Sequence, residues 1–285
     1  MMKKLEKQRI LILGGSGFIG NAIYKELLSY FEVHCTYCQQ HGNFSHNQVF
    51  HKYCVEEDSM FLLLHKIQPS LIISAISGEF NCQLAAHQQI VNYATLNSKC
   101  KVLYISSSEV FSGKFKHASY ENDLPLAQNA IGRFHISMEK MLLESIPHQT
   151  AILRLPLVLG INSPQILHLR QCIRHQATFE VFPNLVISTT TMAKLSQQVH
   201  YIINQSLVGI FHLASNDMVH HEDLFKEIAS KIGDKMPIFK SVFSSNEDTY
   251  NAILPKENKL PISHQITVAQ VIEECSLNEE IISIK

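Results

Sequence analysis

Apolar and polar positions alternate along this chain in blocks, and the period changes from block to block. "RILILGG" (Arg9–Gly15) is a continuous apolar run closed by glycines, "NAIYKELLSYF" (Asn21–Phe31) repeats its apolar residues at helical spacing, and "EVHCTYC" (Glu32–Cys38) is extended again. Together they read as a β-α-β unit. The same alternation continues through "PSLIISAIS" as a buried strand, "CQLAAHQQIVNYATLNS" as a helix, "KVLYISSS" as a strand, "NAIGRFHISMEKMLLE" as a helix and "TAILRLPLVLG" as a strand. Strands separated by single helices predict a doubly wound parallel sheet, an α/β Rossmann-like fold. After Gly160 the pattern loosens into "PQILHLRQCIRHQ" (helix), "TFEVF" (extended), "TTMAKLSQQVHYIINQ" (helix), "GIFHLA" (extended) and "HHEDLFKEIASKIG" (helix). The expectation is a dinucleotide-binding domain over 1–160, joined by 186–215, and a smaller C-terminal lobe over most of 161–285.

The sharpest motif is "GGSGFIG", which closes the first strand and opens the first helix. Gly14, Gly17 and Gly20 let the backbone turn tightly, approach a pyrophosphate and pack the helix against the sheet. The amides of Ser16, Gly17, Phe18 and Ile19, with Gly20 behind them, are expected to meet the phosphates. In NAD sites a carboxylate about 20 residues further on holds the adenosine ribose. From Val33 to Val55 there is no Asp or Glu, and Thr36, Tyr37, Cys38, Gln39 and His41 stand there instead. That set suits a 2′-phosphate better than a bare ribose but lacks an arginine to clamp it, so NADP is weakly preferred over NAD.

Composition narrows the partners. With 285 residues, 46% of them hydrophobic, the chain can bury a large core, and 24 Lys+Arg against 25 Asp+Glu create no long-range field for nucleic acid or an anionic membrane. Seven scattered Cys without disulfide-scaffold spacing, and no signal-peptide run, point to a reducing cytoplasm. Cys35 and Cys38 form a C-x-x-C inside an apparent strand with no second pair, so no metal site is expected from them.

"GGSGFIG", "YISSSEVFSG", "YENDLPLAQNAIGRFHISME", "ILRLPLVLG", "GIFHLASNDMVHHEDLFKEIA" and "AILPKENKLP" come in the order and spacing of the extended short-chain dehydrogenase/reductases. Within that superfamily the chain resembles the dTDP-4-dehydrorhamnose reductase group over nearly its whole length. Glu121, Asp123, Pro125, Asn129, Gly132 and Glu139 carry the more specific part of the likeness, around the active-site helix. The resemblance implies a smaller C-terminal substrate-binding lobe and a nucleotide-sugar ligand. It also implies cofactor contacts from Ala75, Ile76, Ser106, His135 and Leu155, and places Cys54 where an aspartate ends the third strand near adenine.

Enzymes of this kind use a Ser/Thr, a Tyr and a Lys together. The tyrosine passes a proton while the nicotinamide passes a hydride, and the lysine lowers the phenol pKa and holds the nicotinamide ribose. Ser107 falls on the Ser/Thr position, but Ile131 stands in place of the tyrosine and His135 in place of the lysine. Ser107, His135 and Glu109 are the remaining catalytic candidates, with Tyr120, Glu79 and His87 placed near the cleft by the resemblance alone. Two functions follow. One is a nucleotide or nucleotide-sugar binding protein with a degenerate active site, acting as a regulatory subunit or homodimer. The alternative is an active NAD(P)-dependent nucleotide-sugar reductase or epimerase with a displaced proton donor.

Overall fold

Parallel strand pairing organises the chain. The computed structural model describes residues 8–38, 44, 46–243 and 245–277. Elements follow in the order β1 (Arg9–Leu13), α1 (Phe18–Leu27), β2 (Glu32–Tyr37), β3 (Phe50–Lys52), α2 (Met60–Ile67), β4 (Leu71–Ser74), α3 (Phe80–Leu96), β5 (Lys101–Ser107), α4 (Ala130–Ser145) and β6 (Thr150–Leu155). Then come β7 (Leu157–Leu159), α5 (Pro164–His175), β8 (Thr178–Val181), β9 (Leu185–Ile187), β10 (Thr189–Thr191), α6 (Met192–Asn204) and β11 (Gly209–His212). The chain closes with β12 (Val219–His220), α7 (His221–Ile232), β13 (Ile238–Ser241), β14 (Thr249–Asn251) and α8 (Val268–Cys275). Among the described residues no helix is long and apolar enough to cross a membrane.

The chain divides into two units. The first comprises the described residues up to Ser106 with Phe134–Leu153 and Val199–Ile210, and the second comprises Ser107–Arg133, Arg154–Gln198 and the described residues from Phe211 on. A seven-stranded sheet in the order β11-β6-β5-β4-β1-β2-β3 frames the first unit. β1 lies inside it between β4 and β2, with Ile12 opposite Cys35 of β2 and Ile73 of β4, both in parallel register. Strands covered by helices on both faces must be apolar throughout, and Ile10, Leu11, Ile12 and Leu13 are all fully buried. Each such side chain contributes roughly 1.5–3 kcal/mol of burial. The core continues through Ile72, Ile90, Val102, Met138, Leu142 and Ile152.

The second unit is built from small sheets, β12-β9-β14, β13-β8 and β10-β7. Its own core gathers Ile166 and Leu169 of α5, Phe225 and Ile228 of α7, and Val271 and Ile272 of α8. α8 starts on a reciprocal cap, the Thr267 hydroxyl taking the Gln270 amide and the Gln270 side chain taking that of Thr267.

Several elements differ from the sequence reading. "TAILRLPLVLG" is two strands rather than one, because Pro156 has no N–H for a ladder: β6 belongs to the large sheet, whereas β7 pairs with β10. β3 and α2 went unassigned by periodicity. The run "MFLLLHKI" is too short to separate a helical period from a buried strand.

The first turn decides how the sheet meets its leading helix. Gly14 has φ +79°, and a Cβ there would stand 2.4 Å from the Ala75 carbonyl oxygen. Gly14→Ala should therefore lower unfolding free energy by about 2–4 kcal/mol, from positive-φ strain and overlap together. Gly233→Ala, with nothing within 4 Å of the added carbon, is the control expected to stay within about 0.5 kcal/mol. Urea denaturation of the two variants checks this; equal midpoints would show that the turn relaxes freely.

Candidate functional site

In the first unit the glycine turn sits between β1 and α1. The Gly14 amide donates to the Thr36 hydroxyl oxygen at 2.9 Å. The Ser16 amide donates to the Thr36 carbonyl at 3.3 Å and the Gly17 amide to the Gly14 carbonyl at 3.0 Å. A Cβ on Gly20 would lie 2.3 Å from the Gly14 oxygen, so turn and helix touch backbone to backbone. Of the amides expected to be open to phosphate, those of Ser16 and Gly17 are thus already engaged, because the turn needs them to close. Phe18 and Ile19 head α1, where an amide has no partner within its own helix. Gly17 is the exposed N-cap, no side chain caps the helix, and no acidic residue occupies its first turn. The partial positive charge of the helix start is left for an external anion.

Beyond β2 the arrangement departs from the reading of side chains turned toward a ribose. Thr36 is buried and its hydroxyl is taken by the Gly14 amide, while Tyr37 is buried and its carbonyl accepts from the Tyr53 amide at 2.8 Å. Gln39 and His41 lie outside the described residues. Cys38 is bonded to Cys54, with the two Cα atoms 4.6 Å apart. The spacing of the cysteines had given no sign of a disulfide. It arises because β2 and β3 are neighbours and both end at this edge, a pairing that residue spacing does not encode. Cys35 is enclosed instead, and burial pushes its thiol well above the ordinary range.

On the other side of β1, Ala75 donates to the Leu13 carbonyl and leads through Ile76 to Gly78, whose neighbour Glu79 caps α3 by accepting from the Cys82 amide at 2.9 Å. His87, placed near the cleft by the resemblance, is fully buried inside the first unit. Its Nδ1 lies 2.7 Å from the Gln83 carbonyl and its Nε2 2.7 Å from the Ser74 hydroxyl. The carbonyl can only accept, so Nδ1 carries the proton and the serine hydroxyl donates to Nε2. Burial lowers the pKa of this ring to about 4. His87 is therefore a core residue rather than a cleft residue.

His135 on α4 meets the Tyr104 hydroxyl at 2.8 Å through Nδ1. Burial, with Glu139 adding to it, pushes the Tyr104 phenol well above its ordinary range, so the phenol keeps its proton. Nothing in the sequence pattern pointed to Tyr104, which reads as an ordinary strand aromatic. Ser106 donates to Glu139 at 2.6 Å, both side chains being buried.

In the second unit, Ser107 accepts from the Glu109 amide at 3.2 Å and opens a short 3-10 turn. The Glu109 carboxylate takes one amide from Asn129 and another, at 3.0 Å, from Asn251. Asn129 in turn accepts from the Gly132 amide at 2.7 Å, and a Cβ on Gly132 would lie 2.1 Å from the Glu109 carbonyl. Glu109 is thereby the anchor of the start of α4. Asn251, on β14, was missed because it lies 142 residues away in the chain. Ile131, one helical turn before His135, is 51% exposed and offers no polar atom. Leu155 is buried on β6, and Tyr120 stands at the surface with the Lys256 ammonium 5.1 Å from its ring centre.

Comparison with known proteins follows this geometry. The family model described as RmlD substrate binding domain matches residues 8–273. A methionine adenosyltransferase 2 subunit beta from Danio rerio is 24% identical over 249 residues, covering 78% of this chain and 73% of that protein. Among solved structures, a dTDP-4-dehydrorhamnose reductase from Yersinia enterocolitica superposes with a TM-score of 0.76 at 19% identity, over 94% of this chain and all of its own. A dTDP-4-dehydrorhamnose reductase from Bacillus anthracis in complex with NADP gives 0.75 at 17% identity, over 94% and 98%.

The buried histidine makes a pH prediction. The folded pKa of His87 is about 4, whereas an unfolded histidine titrates near 6.5. The depressed value means that the unfolded chain binds the proton first. Stability from this residue is complete above about pH 6.5 and is lost as pH falls toward 4, on the order of 3 kcal/mol in all. His87→Gln cannot take the proton and should make the stability profile between pH 6.5 and 4 less steep, the slope from His51, His212 and His221, also lowered to about 4, remaining. An unchanged slope in denaturant titrations across that range would place the ring in solvent.

Proposed function

We propose that this chain, which belongs to the RmlD substrate binding domain family, binds a nicotinamide dinucleotide, NADP before NAD, and a nucleotide-sugar-like ligand, and acts as a regulatory subunit rather than an orthodox reductase. One observation carries the reading: the phosphate-facing turn is kept whole while the proton-donor position holds an exposed isoleucine. Gly14 and Gly20 close the turn backbone to backbone, and α1 starts at an exposed Gly17 without a capping side chain or an acid. These residues fit a pyrophosphate. When bound, the cofactor would supply hydride chemistry, but Ile131 has no proton to pass. Loss of the phenol alone removes about 10²–10⁴-fold of rate. His135 brings an imidazole whose ring nitrogens can donate or accept, but it cannot supply the fixed positive charge of a lysine.

A regulatory role agrees with the Danio rerio relative, named as the beta subunit of methionine adenosyltransferase 2. The partner here would be an enzyme whose activity or stability changes on association, or a second copy of the chain. A second reading is favoured by the Tyr104 hydrogen bond, which orients the His135 ring. His135 would then be the displaced donor of an active nucleotide-sugar reductase or epimerase. That geometry requires a substrate shifted by about one helical pitch, roughly 5.4 Å, from the family position.

Two experiments separate these readings. Gly17→Asp should weaken NADP(H) binding by about 100-fold or more, through a carboxylate set against phosphate. Folding should survive, since aspartate is a favourable N-cap. Calorimetry finding that the wild type binds neither NAD(H) nor NADP(H) would end the cofactor reading. The double variant Ile131→Tyr with His135→Lys returns the phenol and ammonium one turn apart, and should gain NADPH-dependent reduction of a dTDP-4-keto sugar. A wild type already turning over at about 1–10³ per second would establish the displaced-donor enzyme instead.

A further inference from the structure

The Cys38–Cys54 bond is surplus to what holds its two ends in place. β2 and β3 are already laddered from Cys35↔Phe50 to Tyr37↔Lys52. The segment after β3 is secured separately: the Cys54 amide donates to the Asp58 carboxylate at 2.7 Å, and the Glu57 and Asp58 amides donate to the Cys54 carbonyl at 3.1 and 2.8 Å. Glu56 accepts from the Glu79 amide at 2.9 Å and ties the same segment to the start of α3. The Cα separation of 4.6 Å is close to the ordinary spacing of adjacent strands, about 4.8 Å. Breaking the bond therefore leaves the sheet register intact.

Position gives the bond a consequence. Cys38 follows the last residue of β2 and Cys54 lies two past the end of β3, at the strand ends beyond which ligands bind in doubly wound sheets. The end of β2 is where an adenosine ribose is held in dinucleotide sites. Here it carries no carboxylate, and the linked sulfurs run from it along the sheet edge to Cys54. Cys38 is exposed whereas Cys54 is 7% exposed, so an incoming thiolate reaches one sulfur and not the other. Cys35, the other half of the C-x-x-C, is not an alternative in this exchange: it is fully buried beneath Gly15, where a Cβ would stand 2.5 Å from its own.

We propose that Cys38 and Cys54 form a reversible thiol–disulfide site for small or protein dithiols, and that the bonded form weakens nucleotide binding at the glycine turn by bridging the adenosine end of the site. This rests on the glycine turn being a nucleotide site. In reduction, a dithiol's thiolate attacks the Cys38 sulfur, the Cys54 sulfur leaves and takes up a proton, and a mixed disulfide remains on Cys38. The second thiol of the reductant then attacks its own sulfur in that mixed disulfide. Cys38 is released as a thiol and the dithiol becomes a cyclic disulfide, two electrons and two protons having passed to the protein. A low-molecular-weight disulfide such as oxidised glutathione reverses the exchange and leaves as two thiols.

The test uses the full chain after treatment with oxidised glutathione or with dithiothreitol. Alkylated cysteines are counted by mass spectrometry and NADPH affinity is measured calorimetrically in both states. Of the seven cysteines, the oxidised protein should lose two to the bond and the reduced protein none, with NADPH bound about tenfold more tightly when reduced. Cys38→Ser, or Cys38→Ala if the first folds poorly, should bind like the reduced protein with or without dithiothreitol. Seven alkylated cysteines after oxidation would overturn the disulfide. Equal affinity in both states, or tighter binding when oxidised, would overturn its control of the site while leaving the nucleotide reading in place. NADPH bound in neither state would instead overturn the nucleotide reading, and the proposal with it.

Discussion

The fold depends on one close approach, the backbone of Gly14 pressed between β4 and α1. The Ala75 oxygen lies 2.4 Å from where a Gly14 Cβ would stand, and the Gly14 oxygen lies 2.3 Å from where one on Gly20 would stand. No other residue type satisfies both contacts. Thr36 completes the arrangement from β2 by accepting the Gly14 amide, so the central strand, both its neighbours and the leading helix meet at a single turn. A helix start left uncapped there is costly for stability, and it is also what gives an anion somewhere to go.

Backbone packing and carboxylates hold α4 in place. Gly132 packs on the Glu109 carbonyl, Asn129 caps the beginning of α4, and Glu139 accepts from the Ser106 hydroxyl. These contacts set the position of the helix and are indifferent to the side chain at position 131. Ile131 is 51% exposed, so what the helix presents there can change while its packing stays.

The buried His87 and Arg154 are satisfied rather than poised. His87 is closed between Ser74 and Gln83. In the second unit Arg154 is 1% exposed, donates to the Glu121 carbonyl at 3.3 Å and lies over the Phe111 ring at 4.9 Å. Nearby His212 is lowered to about 4 by burial, the effect of Glu121 opposing it. The Glu121 carboxylate receives the Lys256 and Glu257 amides. Residues that mark the family in the sequence can thus be structural anchors, and Glu121 is one.

The sequence by itself determined the alternation of strands and helices, the place of the glycine turn and the Ile131–His135 pair at helical spacing. Each of these is a local signal: a period of two or 3.6, a glycine where only glycine fits, or a residue type at a fixed spacing. Tertiary structure alone decided that Thr36 faces the turn, that His87 lies in the core, that Tyr104 holds His135 and that Glu109 is engaged by Asn129 and Asn251. It also decided that Cys38 bonds Cys54 rather than pairing with Cys35. The reason is the same throughout. These are contacts between neighbours in a parallel sheet or within the second unit, brought together by crossovers, and their partners lie at separations on which no periodicity bears.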